Sequence, residues 1–346
     1  MNSHWPESTV KFRSVCTFLV LLAGCRTGGD VSDIPKTTSE DETFRQGRLI
    51  MGTLVEITIF DPGDANPEAA CNAAFKEVVR VDELMSTYKR SSELSTINAH
   101  AAEKQMPLTE PTNHVLGRAL HWATETKGAF DPTVGPMLSF WRLRQKVQKA
   151  PTAADVRRVL SQTGFDKVSH IPHARRVRFT QTDMRLDFGG LAKGYAVDKA
   201  ADSLKQAGIR RAIVNAGGDL YAFGAPSTAG IQHPLKAGDL IGAIRLENHA
   251  VATSGNYERF FEIKGKRHCH IFDPRTGWPV QGVVSVTVTA VTALDADALA
   301  TAAFVRGAEI GIEFLNRVDD AEGLIITKKK GQQMNFHQTT GFKMQR

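Results

Sequence analysis

The chain has 346 residues, of which 42% are hydrophobic and 23% are charged, and its formal net charge is +6. This length and composition predict a globular protein of one large or two small domains with a sizeable apolar core. Cations and acids alternate along most of the chain, and the one basic run, Lys328-Lys329-Lys330, is too short to form a groove. The charge therefore predicts no nucleic-acid partner.

The N-terminus is typical of an exported lipoprotein. Lys11 and Arg13 precede the apolar run of residues 15–23, which is shorter than the roughly 20 apolar residues of a membrane span. The run ends in Leu22-Ala23-Gly24-Cys25, which resembles the bacterial lipobox, where the cysteine carries the lipid. The alternative is a buried helix with a chance cysteine, and the small residues before Cys25 and the polar tract after it favour the lipobox.

Three segments follow from this interpretation. We expect a lipoprotein signal peptide at residues 1–24, a flexible tether at 25–43 that begins with lipidated Cys25, and a folded domain at 44–346. The protein would then be exported and lipid-anchored to a bacterial membrane, facing the periplasm or the cell exterior. In the folded domain only Cys71 and Cys269 remain, and neither has the spacing of a zinc site. We expect two buried free thiols, although the sequence leaves their pairing open.

The first half of the folded domain predicts one strand followed by helices. Apolar residues at alternate positions predict a half-buried strand over residues 54–60. Apolar residues with a helical period follow over 67–85 and again over 112–126. A third helix over 152–164 opens with a capping pattern and stops at a glycine.

The second half alternates strands with helices. Strands are predicted at 177–179, 212–215, 240–246, 260–263 and 283–291, and helices near 192–207 and 293–306. Because the apolar stretches are short and alternating, a mostly antiparallel sheet is favoured over a doubly wound parallel one. We expect a single α+β domain, with helices packed on that sheet.

The first motif is LDFGGLAKGYAVDKAA, residues 186–201. Met184, Leu186 and Phe188 are predicted to end a strand with Asp187 on its opposite face, and Gly189-Gly190 make a turn into a helix. Such a junction offers free amides and a positive dipole end to an anion. The spacing matches neither a Rossmann nor a Walker loop, and a structural turn that needs two glycines explains the pattern equally well.

The second motif is TALDADALATAAFVRG, residues 292–307. Asp297 and Thr301 are four residues apart, so on a helix they share one face. Asp295 lies about 200° around the axis from Asp297 and stands three residues after Thr292, as a capping acid would. A carboxylate and a hydroxyl on one face suit Mg²⁺, whereas on this stretch alone a first-turn acid and a back-bonded threonine are the favoured interpretation.

The third motif is RHCHIFDPRTGWPV, residues 267–280. Residues 259–263 and 267–272 predict a hairpin around Gly265, and this hairpin places His270 at a strand end before a turn. A histidine there is often structural, and it could instead act as a general acid or base.

Nine short motifs taken together, in order from about residue 44 to 340, resemble the ApbE family of FAD:protein FMN transferases. Beside the Asp187 loop with Gly194-Tyr195-Ala196 and the Asp297–Thr301 pair, they are Met51-Gly52-Thr53, Met85-Ser86-Thr87-Tyr88, Ser92-Glu93-Leu94-Ser95 with Asn98, Gly128-Ala129-Phe130-Asp131-Pro132-Thr133, Asn215-Ala216-Gly217-Gly218-Asp219, Thr253-Ser254-Gly255 and His270-Ile271-Phe272-Asp273-Pro274.

The resemblance implies a bound FAD whose pyrophosphate lies across a Mg²⁺ site. Its metal ligands correspond to the main-chain oxygen of Gly190 and the side chains of Asp297 and Thr301. The flavin contacts of the family correspond to Met51, Tyr88, Ala129, Phe130, Asp131, Asp187, Lys193 and His270. The glycine pair would thus present a carbonyl to a metal, so a lysine-type phosphate loop is not needed.

The resemblance also implies the reaction and its partners. A threonine or serine hydroxyl of a second protein, typically an exported redox subunit, would attack FAD, so that FMN is attached by a phosphoester and AMP leaves. His270 is the candidate proton acceptor, with Asp187 as the fallback. The alternatives are a FAD pyrophosphatase that releases FMN and AMP, and a flavin-binding lipoprotein without turnover, which the Asp297–Thr301 pair disfavours.

Overall fold

A computed structural model of the chain describes residues 43–236, 238–257, 260–329 and 333–345. The predicted signal peptide, Cys25 and nearly all of the predicted tether lie outside the described residues. No helix in the described part of the chain is long and apolar enough to cross a membrane.

The described residues form strands and helices in a mixed order. The strands are β1 (Phe44–Ile50), β2 (Thr53–Asp61), β3 (Met106–Pro107), β4 (Val168–Ile171), β5 (Arg176–Phe179), β6 (Arg211–Ala216), β7 (Asp219–Phe223), β8 (Ser227–Gln232), β9 (Leu240–Leu246), β10 (His249–Gly255), β11 (Phe260–Ile263), β12 (Lys266–Cys269), β13 (Val283–Ala290), β14 (Glu322–Lys328) and β15 (Met334–Gln338). The helices are α1 (Pro67–Met85), α2 (Glu93–His100), α3 (Glu110–Glu125), α4 (Gly135–Lys146), α5 (Ala153–Leu160), α6 (Ala192–Gln206), α7 (Ala293–Arg306) and α8 (Ala308–Leu315).

The central feature is an eight-stranded sheet in the order β1-β2-β6-β7-β10-β13-β14-β15, in which every neighbouring pair is antiparallel. Two of its connections are two-residue turns. Met51 and Gly52 both have positive φ, and so do Gly217 and Gly218, as tight hairpin turns with the twist of a sheet require. The expected single α+β domain with a mostly antiparallel sheet is confirmed.

The sheet carries an apolar core on each face. Val55, Ile57 and Ile59 are buried against α1 and α6 in the larger core, which also contains α7. The opposite face packs in a second cluster with the β8–β9 hairpin and Phe342 near the C-terminus. Because both faces are covered, the residues between the buried positions of β2 are half-buried rather than exposed.

Most predicted elements are confirmed within a few residues, and the capping box of Thr152 and Asp155 opens α5. The strand predicted at residues 184–188 is wrong. There the chain forms only an isolated bridge at Arg185, while Leu186 hydrogen-bonds the side chain of Asn98 and Asp187 N donates to Pro132 O. Met184, Leu186 and Phe188 are nevertheless buried, because any extended segment alternates its side chains whether or not it joins a sheet.

Helices α6 and α7 make an unusually close contact. A Cβ atom on Gly194 would lie 2.1 Å from the carbonyl oxygen of Ala293, which is backbone and cannot turn aside. One turn later in α6, Asp198 accepts hydrogen bonds from the amides of Ala293 and Leu294, at 2.8 and 2.9 Å. The start of α7 is therefore fixed on the surface of α6.

We expect Gly194→Ala to destabilise the fold by about 1–3 kcal/mol or more, because the added methyl group would overlap backbone of α7. Gly117→Ala in α3 is the matched control. Its Cβ would meet only a ring atom of His170 at 3.7 Å, so helix propensity should stabilise that variant by up to about 1 kcal/mol. Urea denaturation of both proteins measures the difference, and equal stabilities would show that the α6–α7 contact does not require glycine.

Candidate functional site

The glycine pair at residues 189–190 lies against the middle of α7. A Cβ atom on Gly190 would lie 3.4 Å from Thr301 Oγ1 and 3.1 Å from the ring of Phe130, so a side chain here would crowd the space between them. Ser254, near the end of β10, brings its hydroxyl to 3.4 Å from Thr301 Oγ1. A main-chain segment and two hydroxyl groups therefore converge at one end of the central sheet.

A buried charge cluster adjoins this convergence. Asp297 lies on the same face of α7 as Thr301, and Lys193 Nζ, from the first turn of α6, is 3.1 Å from Asp297 Oδ2. The same ammonium group is 2.5 Å from Asp219 Oδ2, at the first residue of β7. Both carboxylates are buried, so one lysine stands between two acids in a largely dry site.

The three charges perturb one another strongly. Burial raises the pKa of Asp219 well above its usual range, and the charge of Asp297 raises it further, while Lys193 opposes both. Burial disfavours the charged form of Lys193, yet Asp219 and Asp297 outweigh this and raise the pKa of the lysine. Full ionisation of both acids beside a single ammonium group is therefore costly unless further positive charge lies nearby.

Asp295 occupies a different face of α7, as the helical period predicts. Its carboxylate accepts hydrogen bonds from Arg118 at 2.6 Å and from the indole of Trp122 at 2.7 Å, and the hydroxyl of Thr292 donates to it at 2.8 Å. The expectation that Asp295 acts only as a helix cap is too narrow, because the residue also ties α7 to α3.

The donor set determines which cation could fit. Among the described residues no group of three or more His, Cys, Asp or Glu side chains could hold a metal. What the site offers is one carboxylate from Asp297, the hydroxyl of Thr301 and the backbone of Gly190, and hard oxygens of these kinds are the ligands that Mg²⁺ accepts. The residues present therefore fit Mg²⁺ better than a transition metal that prefers nitrogen or sulfur.

Asp187 is held at the rim of this site by local hydrogen bonds. Its Oδ1 accepts from the amide of Gly189 at 2.8 Å, which forms the turn into α6, and its Oδ2 accepts from the hydroxyl of Thr87 at 3.3 Å. Asn98 supports the same loop, because it bonds both the amide and the carbonyl of Leu186. The carboxylate thus has a defined position without being buried.

The loop of residues 128–133 contributes Phe130 to the site. Ala129 and Phe130 are buried, and the ring of Phe130 lies beside Gly190. Asp131 has an internal role: its Oδ1 accepts from the amide and hydroxyl of Thr133, and its Oδ2 accepts from the amide of Phe165. Burial raises the pKa of Asp131, and those hydrogen bonds oppose the shift.

Met51 and Tyr88 lie on surface turns that flank the site. Met51 has a φ of 55°, a left-handed conformation that a non-glycine residue adopts in few places. Its hairpin adjoins the Gly217 turn, since a Cβ on Gly217 would overlap Thr53. Tyr88 follows Thr87, is 76% exposed, and accepts a hydrogen bond from Arg142 at 2.7 Å through its hydroxyl.

His270 lies one residue beyond β12 and is half-buried. The sequence placed it at the strand end, but the strand stops at Cys269. Its neighbours Cys269 and Ile271 pack in the main core, and Ile271 bonds Val280 across the turn that follows. The assignment of His270 as a proton acceptor stays a prediction.

The two cysteines of the folded domain are buried. Cys71 and Cys269 are both free, which confirms the expectation. Burial raises the pKa of each to about 11, so both remain thiols near neutral pH.

Sequence reasoning missed three residues of the site. Asp219 directly follows the Gly217-Gly218 turn, and Ser254 is the next-to-last residue of β10; both stand in motifs to which the sequence assigned no role. Thr87 contacts Asp187 although the two are 100 residues apart. A polar residue next to a glycine is the sequence signal that marks Asp219 and Ser254. The spacing along the chain gives no sign that Thr87 lies close to Asp187.

The chain was compared with known proteins. The sequence model of the ApbE family matches residues 51–325. A curated relative from Klebsiella pneumoniae (strain 342), named FAD:protein FMN transferase, is 30% identical over 294 residues, which cover 84% of this chain and 92% of that protein. A relative of the same name from Escherichia coli (strain K12) is 32% identical over 307 residues, which cover 84% of this chain and 85% of that protein.

Solved structures agree with these relatives. The ApbE protein from Thermotoga maritima has a TM-score of 0.78 and 31% identity, over 86% of this chain and 97% of that one. The flavin transferase ApbE from Vibrio cholerae has a TM-score of 0.76 and 28% identity, over 87% of this chain and 98% of that one.

Asp198, which anchors the start of α7, predicts a pH dependence of stability. Burial raises its pKa to about 7, although the amides of Leu294 and Ala293 oppose the shift. The unfolded chain releases this proton near pH 4, so between about pH 4 and 7 the folded state holds more protons and stability falls as pH rises. Asp198→Asn removes this contribution.

We therefore expect the free energy of unfolding to decline more steeply from pH 4 to 7 in the wild type than in Asp198→Asn. Urea titrations at several pH values measure both slopes. Glu313→Gln, which changes a surface acid of α8 that pairs with Arg317, serves as the control and should keep the wild-type slope. Equal slopes for all three proteins would contradict the raised pKa of Asp198.

Proposed function

The chain belongs to the ApbE family, and we propose that it transfers the FMN moiety of FAD to a serine or threonine hydroxyl of a target protein, with Mg²⁺ bound beside Asp297. Transfer of FMN from FAD to a protein follows from the name that the curated relatives share. The single observation that supports the metal-dependent form is the convergence of Gly190, Asp297 and Thr301, next to Lys193.

The main-chain oxygen of Gly190, the carboxylate of Asp297 and the hydroxyl of Thr301 would hold the cation. When bound there, Mg²⁺ supplies charge neutralisation to the oxygens of a pyrophosphate. Lys193 adds a fixed positive charge from the first turn of α6, and the positive end of the helix dipole also favours an anion there. Tyr88 offers an exposed aromatic surface at the rim, and the buried ring of Phe130 lies against Gly190.

The reaction balances as a substitution at phosphorus. The hydroxyl oxygen of the acceptor forms a bond to the FMN phosphorus while the bond to the bridging pyrophosphate oxygen breaks, and AMP leaves. A base takes the hydroxyl proton, and we assign His270 to that task with Asp187 as the fallback. The hydroxyl belongs to a second protein, which we expect to be an exported redox subunit.

One experiment tests the proposal against its alternatives. The protein is incubated with FAD and Mg²⁺, with and without an exported redox subunit, while AMP release and protein-bound flavin fluorescence are followed. Release of AMP together with labelled subunit is the expected result. Release of FMN and AMP without labelling would indicate a FAD pyrophosphatase, and FAD binding without AMP release would indicate a flavin-binding protein.

We further propose that the protein is exported and held at a membrane by a lipid on Cys25. The support is the basic and apolar pattern of residues 11–23 and the lipobox-like Leu22-Ala23-Gly24-Cys25. The site would then face the compartment in which exported redox subunits fold.

Asp297→Asn keeps the shape of the side chain and removes its charge, so we expect Mg²⁺ affinity to fall at least about tenfold and FMN transfer to be lost. Calorimetric titration with Mg²⁺ measures the first effect independently of activity. Asp295→Asn is the control, since its partners are Arg118 and Trp122; it should lose stability and keep its Mg²⁺ affinity. Equal losses of Mg²⁺ affinity in both variants would refute the assignment of ligands to one helix face.

If His270 is the proton acceptor, His270→Ala should slow FMN transfer by about 10²–10⁴-fold and change FAD affinity little. The wild-type rate should depend on pH because the proton acceptor must be deprotonated, and the variant should lose that dependence. FAD titration by fluorescence and timed AMP release measure both. A loss of FAD affinity as large as the loss of rate would make His270 a cofactor contact, and Asp187→Asn would then be examined as the base.

If Cys25 carries the lipid, the wild-type protein should fractionate with membranes, and Cys25→Ser should appear in the soluble fraction. Stable membrane anchoring requires more than a single acyl chain. Loss of the complete lipid should therefore release nearly all of the protein. A Cys25→Ser protein that remains with the membranes excludes the anchor.

A further inference from the structure

We propose, on the basis of the proposed function, that the acceptor protein docks through an acidic segment on a basic surface beside the site. This basic surface is formed by residues 142–149, at the end of α4 and just after it, and by the β11–β12 hairpin with Tyr88 and Trp278 at its edges. The acidic segment would carry the accepting hydroxyl.

The basic surface carries a dense and almost entirely positive charge. Residues 135–150 contain four cations and no acid. Residues 260–269 contain three cations and one acid, Glu262, so the two segments together have a net charge of +6. The cations are Arg142, Arg144, Lys146, Lys149, Lys264, Lys266 and Arg267. Within the part of the chain that the structure describes, only Arg144 among them is ion-paired, at 3.2 Å from Asp155. The remaining charge is therefore available to an acidic partner.

Apolar side chains are exposed among these cations. Exposed fractions are 55% for Leu143, 52% for Val147, 45% for Phe260 and 40% for Trp278, and Arg267 stacks on the ring of Phe260 at 3.3 Å. Exposed aromatic and apolar groups next to arginines are typical of protein interfaces rather than of a merely solvated face.

Helix α4 presents the two kinds of side chain in adjacent rows. Arg142 and Lys146 are four residues apart, and so are Leu143 and Val147, so each pair lies along one stripe of the helix. A cationic stripe beside an apolar stripe matches a segment that carries both acidic and apolar residues.

The basic surface is continuous with the catalytic site. Arg142 donates a hydrogen bond to the hydroxyl of Tyr88 and stacks over its ring at 5.0 Å, and the preceding Thr87 bonds Asp187. At the other end of α4, the amide of Gly135 bonds the carbonyl of Arg185, two residues before Asp187. A segment bound on α4 could therefore reach the rim of the site.

The surface is also rigid, as a docking site for catalysis requires. Trp141 is buried among Phe261, Phe272 and Trp278, with ring centroids 5.6–5.8 Å apart, and donates to the carbonyl of Gly277. Gln148 bonds the backbone of the β11–β12 hairpin twice, at 3.0 and 2.9 Å. His270 immediately follows β12 of the same hairpin, so the docking surface lies next to the assigned base along the chain.

An anionic membrane surface is the rival occupant, since a lipid headgroup layer also favours cations and exposed aromatics. Continuity with Asp187 and Tyr88 favours the acceptor, because membrane binding would cover the route by which the acceptor hydroxyl reaches the site.

The test uses the mature protein and the exported redox subunit that it labels with FMN. Lys146→Glu combined with Lys266→Glu reverses two charges of the basic surface without changing a residue of the site. Lys76→Glu combined with Lys104→Glu makes the same charge change on exposed lysines elsewhere and is the matched control. KM and kcat for the subunit, FAD affinity and binding to vesicles with and without anionic lipid are measured at low and high salt.

We expect the surface variant to raise the KM for the subunit at least about tenfold, with kcat and FAD affinity within about twofold of wild type. Its kcat/KM should also depend less on salt. A surface variant with the same KM as the control overturns the proposal, as does loss of vesicle binding with an unchanged KM, which would assign the surface to the membrane. A wild-type protein that binds FAD and labels no subunit would refute the proposed function itself.

Discussion

Helix α7 begins on the surface of α6, and the charge cluster depends on that contact. Gly194 leaves room for the backbone of Ala293, and Asp198 accepts the first amides of α7 one turn farther on. This contact fixes the axial position of α7 against α6. Lys193, next to Gly194, is thereby held against Asp297, about one turn into α7. A shift of either helix by a single residue would separate the ammonium group from the carboxylate.

The cluster is electrostatically unbalanced in a way that suits its proposed task. Asp219 and Asp297 are buried and share the single cation of Lys193, and taking two carboxylates out of water is costly unless positive charge compensates it. The hydroxyl of Thr301, one turn beyond Asp297 on the same face of α7, lies beside Gly190. Such a site would gain more from a hard divalent cation than from a second lysine, because the cation also binds neutral oxygens.

A second structural unit lies beside the main core. Trp141 and its aromatic neighbours join α4 to the β11–β12 hairpin in a satellite core separate from the two cores of the central sheet. The exposed cations lie on the α4 segment and hairpin of this unit, and His270 follows the hairpin directly. The proposed docking surface would then lie close to the residue that we assign as the base, whereas the proposed metal ligands Asp297 and Thr301 lie on α7, which packs in the main core.

The sequence alone determined the local features. Alternation over residues 54–60 and helical periods over 67–85 and 293–306 predicted real elements, because burial of one face imposes these periods wherever the segment lies. The same reasoning separated Asp297 and Thr301 from Asp295, since positions on one helix are fixed by its geometry. It failed at residues 184–188, where extended chain pairs with the Asn98 side chain instead of a strand. Only the tertiary structure could show that Asp219 contacts Lys193 and that Thr87 contacts Asp187. Contacts between distant segments depend on strand order and helix packing, and these produce no periodic pattern in the local sequence.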